Sequence, residues 1–118
     1  MSFRFLRFPV YIDAKKFIKS ILPVANQLSR NGHRELASHL KNSAISVALN
    51  VAEGAGKGSD RDFNRYIMMS LGSLNETVAA LDIANDNNCV KAKLYNFLFA
   101  RAEELAKQLG GFSKSLKK

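Results

Sequence analysis

Three residues that could perform acid–base or nucleophilic chemistry, His39, Ser46 and Glu53, are spaced seven apart. On an α-helix this spacing aligns them along one side. A serine becomes a nucleophile when a base within hydrogen-bond reach takes its proton. Two helical turns separate His39 from Ser46 by about 10 Å along the axis, which is too far for that transfer. We therefore expect no enzyme activity. A hydrogen-bond network that fixes helix pairing is favoured, with ligand binding as the alternative.

The stretch NVAEGAGKGSD, residues 50–60, combines glycines, a lysine and a serine, as phosphate-binding loops do. Such a loop requires the order Gly-x-x-x-x-Gly-Lys-Ser/Thr after a β-strand. Here a glycine separates Lys57 from Ser59, and a predicted helix precedes them. The stretch instead predicts a corner between two helices. Ser59 is the predicted N-cap of the second helix, and Asp60 and Asp62 favour the positive end of its dipole.

A buried ion pair is the expected centre of the polar strip. Arg101 falls on the predicted core stripe of a later helix, where an unpaired cation would be costly. Glu53 and Glu76 are its candidate partners. We predict a structural polar network made of Ser46, Asn50, Glu53, Ser73, Glu76 and Arg101.

Metal and cofactor chemistry is not expected from the composition. The chain has one cysteine, Cys89, so no Cys-x-x-Cys pair exists. His33 and His39 are six residues apart and so point to different sides of a helix. Cys89 lies in a predicted link between helices, and we expect its thiol to have no function. The sequence therefore predicts no metal site and no cofactor.

Four segments carry apolar residues at three- and four-residue spacing, and no strand-like alternation occurs. We predict helices over residues 10–30, 34–55, 60–86 and 90–110, with a kink at Pro23 and a fraying basic tail over 111–118. The predicted core stripe of the fourth helix is Leu94, Phe97, Leu98, Leu105, Leu109 and Phe112. Short links make neighbouring helices antiparallel. The predicted fold is all-α, a single domain over residues 1–118 that forms an up-down-up-down four-helix bundle.

The composition is typical of a globular protein in water, with 47% hydrophobic and 24% charged residues. Apolar runs are far shorter than the roughly 20 residues of a membrane span. The opening segment MSFRFLRFPVY is not followed by the apolar core and cleavage site of a secretion signal. We expect a protein of the bacterial cytoplasm without membrane contact.

The second and third helices have more apolar surface than one bundle core can cover. A helix that is apolar nearly all round is normally buried. We predict that these helices form the interface of a homo-oligomer, a closed ring being the usual product of head-to-tail contacts. The alternative is a thick core within the monomer. The predicted interface residues are Ile45, Leu49, Met68, Met69, Gly72, Ala79, Ala80 and Ile83.

Positive charge is expected to converge on one end of the bundle. The formal net charge is +8, which could serve solubility alone or attract nucleic acid. In an antiparallel bundle, the chain start, the link between helices two and three, and the end of helix four share one end. The candidate nucleic-acid-binding residues are Arg4, Arg7, Lys15, Lys19, Lys57, Arg61, Lys114, Lys117 and Lys118. Phe3, Phe5 and Phe8 could stack on unpaired bases, or anchor the N-terminal segment on the bundle.

The segment ISVALNVAEGAGKGSDRDFNRYIMMSLGSLNE, residues 45–76, resembles the four-helix-bundle proteins encoded in intervening sequences of bacterial 23S ribosomal RNA genes. Matching positions are Ser46, Asn50, Ala52, Glu53, Gly54, Ser59, Phe63, Gly72, Ser73, Leu74 and Glu76. More distantly, the chain is similar to the accessory variability determinant of diversity-generating retroelements. The resemblance implies an all-helical bundle that assembles as a pentameric ring.

The expected function is non-enzymatic binding of nucleic acid, RNA above all, by a homo-oligomer through its basic end. The alternative is a protein-interaction adaptor, or an accessory subunit for a polymerase-type partner. An enzyme acting through His39, Ser46 and Glu53 is the weakest hypothesis.

Overall fold

The computed structural model describes residues 3–117. Lys118, one of the predicted basic residues, lies outside the described residues. A 3₁₀ helix, Arg4–Arg7, precedes four α-helices. These are α1 (Pro9–Arg30), α2 (Arg34–Ala55), α3 (Asp60–Asp86) and α4 (Ala92–Leu116). Residues 3–117 contain no β-strand, so the prediction of an all-α fold with four helices is confirmed.

The four helices lie side by side. The longest dimension of the molecule, 44 Å, is accordingly little more than the length of one helix. α1 packs on α2, α2 on α3, α3 on α4, and α4 returns to α1. The short links reverse the chain direction each time. Ile21, Leu40, Ile67 and Leu98, one from each helix, are fully buried in the shared core.

Helix boundaries follow local chemistry at most positions. The hydroxyl of Ser59 accepts a hydrogen bond from the Asp62 amide at 3.2 Å, as expected of an N-cap. Gly32 ends the turn after α1 with φ of +90°, a conformation that favours glycine. Helix α1 continues through Pro23 without interruption.

Two sequence predictions about α4 were wrong. The segment 111–118 was expected to fray, but α4 extends to Leu116 because Phe112 and Ser113 pack on α3. Leu94 and Phe97 were placed in the core, but both are exposed. The buried stripe is Leu98, Ala102, Leu105 and Leu109. The arc that α4 buries is therefore narrower than the spacing suggested.

Helices α2 and α3 are joined by hydroxyl groups as well as by apolar contacts. The hydroxyl of Thr77 lies 2.8 Å from that of Ser43, and Ser43 in turn donates to the His39 carbonyl. Ser70 donates to the Val47 carbonyl at 2.7 Å. These hydroxyls are buried, and each makes a hydrogen bond, so the desolvation cost of a polar group is offset.

Candidate nucleic-acid interface

Three aromatic rings pack against one another at one end of the bundle. Phe8 precedes α1, Phe63 lies in the first turn of α3, and Phe112 lies in the last turns of α4. Their ring centroids are 6.4 Å apart for Phe8–Phe63, 5.6 Å for Phe8–Phe112 and 5.1 Å for Phe63–Phe112. Aromatic pairs at such distances attract beyond their simple burial. The cluster therefore holds the chain start, the α2–α3 corner and the end of α4 together.

Basic side chains surround this aromatic cluster, and we call them the basic end. The basic end consists of six residues, all of them exposed: Arg4, Arg7, Lys57, Arg61, Lys114 and Lys117. Lys15 and Lys19 continue the positive surface along α1, one turn apart and exposed. The sequence thus predicted which cations share one end of the bundle, with Lys118 outside the described residues.

Few carboxylates balance the basic end. Lys57 forms an ion pair with Glu53 at 3.6 Å, and its ammonium also lies 5.0 Å from the centre of the Tyr66 ring. Asp62 pairs with Arg65 at 3.7 Å within the same helix. Within residues 3–117, no ion pair involves Arg4, Arg7, Arg61, Lys114 or Lys117. These five cations keep their charge free for a ligand.

Half of the predicted polar network is present. Ser73 donates to Ser46 at 3.0 Å, and Asn50 donates to both the hydroxyl and the carbonyl of Ser46 at 3.0 Å. Glu76 instead contacts His39 at 3.3 Å, a pairing that sequence spacing within one helix could not have found. Glu53 pairs only with Lys57 among the described residues.

The prediction that Arg101 is a buried member of this network was wrong. Arg101 is exposed, and its guanidinium lies 5.0 Å from the centre of the Phe97 ring on the same helix. Its expected partners, Glu53 and Glu76, lie on α2 and α3 and are paired elsewhere. Arg101 lies on the side of α4 that faces solvent next to α1. Water solvates its charge there, so the cation needs no buried carboxylate.

An exposed apolar surface covers the outer side of α2 and α3, as the sequence predicted for an oligomer interface. Leu49 is 61% exposed, and Met68, Met69 and Ile83 are about half exposed. Gly72 and Ala79 are also exposed, and Ile45 is half-buried. The prediction that Ala80 belongs to this interface was wrong, because Ala80 is buried in the core of this chain and cannot contact another subunit.

Two features of the structure were not predicted from the sequence. The thiol of Cys89 lies 3.4 Å from the His33 ring, because the α1–α2 and α3–α4 links meet at the other end of the bundle. A second set of exposed apolar side chains lies on α4, with Leu94 and Phe97 on one flank and Phe99 in a groove beside Val78 and Ala79 of α3. Its signal in the sequence was the count of large apolar residues in α4, which exceeds what one buried stripe needs.

The model of one protein family, described as 23S rRNA-intervening sequence protein, matches residues 7–111. That span covers most of the chain. The chain belongs to this family. The sequence resemblance drawn from residues 45–76 is therefore confirmed, and the family match extends over α1, α2, α3 and most of α4.

A solved structure supports the same fold for this chain. It is a protein of unknown function from the S23 ribosomal protein family of Bacteroides thetaiotaomicron, with a TM-score of 0.82. The two sequences are 21% identical, and the alignment covers 89% of this chain and 98% of the other. A comparison with curated proteins found no match.

Among residues 3–117, no three potential metal ligands of the His, Cys, Asp or Glu type are grouped. None of the helices in this described part of the chain is long and apolar enough to cross a membrane.

Proposed function

We propose that this protein is a non-enzymatic homo-oligomer that binds RNA on its basic end. The observation that carries the proposal is the meeting of five unpaired cations around the Phe8, Phe63 and Phe112 cluster. Arg and Lys side chains bind phosphates and release the counterions that surround a polynucleotide. The fold holds these cations on three separate chain segments, so together they cover a surface and not a single point.

Self-association would multiply the basic end. The exposed side of α2 and α3 carries Leu49, Met69 and Ile83, which a neighbouring subunit would remove from water. In a closed ring every subunit has the same orientation, so the basic ends would form one positively charged annulus. The sequence resemblance implies five subunits for that ring. Binding one polymer at several such ends would raise the affinity beyond that of a single subunit.

RNA is favoured over DNA by the family to which the chain belongs. Its description refers to an intervening sequence of 23S rRNA. The charge pattern itself supports either polymer, since phosphate contacts do not distinguish them.

The test is fluorescence anisotropy with a structured RNA hairpin at several salt concentrations. Affinity should fall steeply as salt rises, with a slope that reports the number of phosphate contacts. The variant Arg61→Glu/Lys114→Glu/Lys117→Glu should weaken binding at least about tenfold and flatten the slope. A matched control, Arg30→Glu/Lys41→Glu/Lys93→Glu, makes the same change in charge at exposed positions away from the basic end.

Three results would contradict the proposal. These are absence of binding at low salt, affinity that does not depend on salt, and equal loss in the control variant. The last result would mean that net charge alone, and no particular surface, attracts the RNA.

A protein-interaction adaptor is the second candidate function, and one observation favours it. Leu94 and Phe97 are exposed on α4, on a flank that contains none of the residues proposed for self-association. Phe97→Glu should abolish capture of a protein partner in this case while leaving RNA binding intact. The charge-reversal variant at Arg61, Lys114 and Lys117 should do the opposite.

A further inference from the structure

The segment from Phe3 to Phe8 sorts its side chains into three stripes. In a 3₁₀ helix, residues three apart lie on the same side. Phe5 and Phe8 therefore share one stripe, Arg4 and Arg7 a second, and Phe3 and Leu6 a third.

The first stripe anchors the segment. The Phe8 ring packs on Phe63 and Phe112, and the Phe5 ring contacts Tyr11 edge to face at 5.0 Å. Both residues are half-buried. The sequence left open whether these phenylalanines anchor the segment or stack on bases, and for Phe5 and Phe8 the contacts are those of anchors.

The second stripe supplies positive charge at a fixed place. The Arg4 guanidinium lies 5.6 Å from the centre of the Phe8 ring, which orients it beside the anchor. Neither Arg4 nor Arg7 has an ion-pair partner within residues 3–117. Lys15 lies close by, since its ammonium is 5.1 Å from the centre of the Tyr11 ring that Phe5 contacts.

The third stripe is left without a partner. Phe3 is 65% exposed and Leu6 is 50% exposed. Phe3 touches the Phe5 ring only edge to face, with centroids 6.4 Å apart. The Phe3 ring is thus open to solvent, on an anchored segment that also carries Arg4 and Arg7, which have no ion-pair partner within residues 3–117.

We propose that Phe3 is a stacking platform for an unpaired base and that the basic end therefore prefers single-stranded RNA to duplex. This inference rests on the proposed function. An aromatic ring next to cations matches a single strand, whose phosphates meet the cations while its bases stack on the ring. In a duplex the faces of the bases are covered by their neighbours, so Phe3 would find no partner.

The experiment compares an unstructured oligouridine with a duplex RNA of the same length. Phe3→Ala should weaken oligouridine binding by about 5- to 150-fold, the range expected for loss of one stacked base. Duplex binding should change less than about twofold, since phosphate contacts remain. Leu6→Ala is the matched control, as it removes an exposed apolar side chain from the same stripe and should leave both affinities unchanged.

Phe3→Trp provides a direct readout. The chain contains no tryptophan, so this variant has a single fluorescent indole. Oligouridine should bind it as tightly as the original protein and should quench its fluorescence, while duplex RNA should not.

Several outcomes would overturn the stacking proposal. These are equal loss of oligouridine and duplex affinity in Phe3→Ala, a loss of the same size in Leu6→Ala, and an indole that oligouridine fails to quench. A change of oligomeric mass in Phe3→Ala would assign Phe3 to a subunit contact. Quenching by anionic lipid vesicles with no quenching by oligouridine would assign it to a membrane surface. Failure of both RNAs to bind would defeat the proposed function itself, whereas equal binding that Phe3→Ala leaves unchanged would defeat stacking alone.

Discussion

Gly54 lies so close to Phe63 that a β-carbon at residue 54 would be 2.8 Å from the Cδ1 atom of the ring. The same β-carbon would be 2.8 Å from the β-carbon of Tyr66. Helices α2 and α3 can therefore approach at this point only because residue 54 has no side chain. The contact lies next to the Phe8–Phe63–Phe112 cluster, and so it fixes the corner that positions the basic end.

Gly54→Ala should destabilise the protein. Alanine ordinarily stabilises a helix interior by about 1 kcal/mol over glycine, but forcing atoms into a packed contact costs about 1–3 kcal/mol. The clash should prevail, because the Tyr66 β-carbon cannot move without shifting α3. We expect a lower melting temperature by differential scanning calorimetry. Gly111→Ala is the control, since nothing lies within 4 Å of its position, and it should leave stability unchanged or raise it. A Gly54→Ala protein that melts higher would contradict the close approach.

The buried hydroxyl pair of Ser43 and Thr77 should contribute to stability as a unit. Thr77→Val keeps the shape of the side chain but removes the hydrogen bond to Ser43, and should cost about 1 kcal/mol. Ser43→Ala should cost a similar amount. In a double-mutant cycle by urea unfolding, the two changes should be coupled by about 0.5–1.5 kcal/mol. Ser115→Ala removes an exposed hydroxyl and serves as the control. Strict additivity would show that the two hydroxyls act independently.

The exposed apolar surface of α2 and α3 should hold subunits together. Leu49→Glu/Met69→Glu would bury two unpaired charges in that interface, so the complex should dissociate toward the 13.1 kDa monomer. Light scattering coupled to size exclusion measures the mass. Phe97→Glu is a matched control, because Phe97 is 47% exposed but lies on α4. An unchanged mass in the double variant, or a monomeric original protein, would eliminate the proposed interface.

Arg101→Ala should have little effect on stability. The side chain is exposed and has only the Phe97 ring as a charge-dependent contact, a type worth about 0.5–1 kcal/mol at exposed sites. The expected loss in the free energy of unfolding is therefore below about 1 kcal/mol. A loss of 3 kcal/mol or more, the size seen on breaking a buried ion pair, would place Arg101 back in the core.

Much of the fold could be predicted from the sequence because helices are encoded locally. Apolar residues at three- and four-residue spacing predicted α1, α2 and α3 to within a residue, and Ser59 predicted the start of α3 through its own hydroxyl. Antiparallel order followed from short links. Chain order and charge then placed Arg4, Lys57 and Lys114 at one end without knowledge of any contact.

The tertiary structure decided what depends on distance between helices. Gly54 and Gly72 look alike in the sequence, yet one is enclosed by Phe63 and Tyr66 and the other has open space around it. Spacing places Arg101 within the arc of α4 that a core could cover, but in the packed bundle it is exposed beside α1. His39 and Glu76 are 37 residues apart, so their pairing required the packing of α2 on α3. Local patterns determine which side of a helix is apolar. How closely two such sides meet is set by the volumes of side chains from distant parts of the chain.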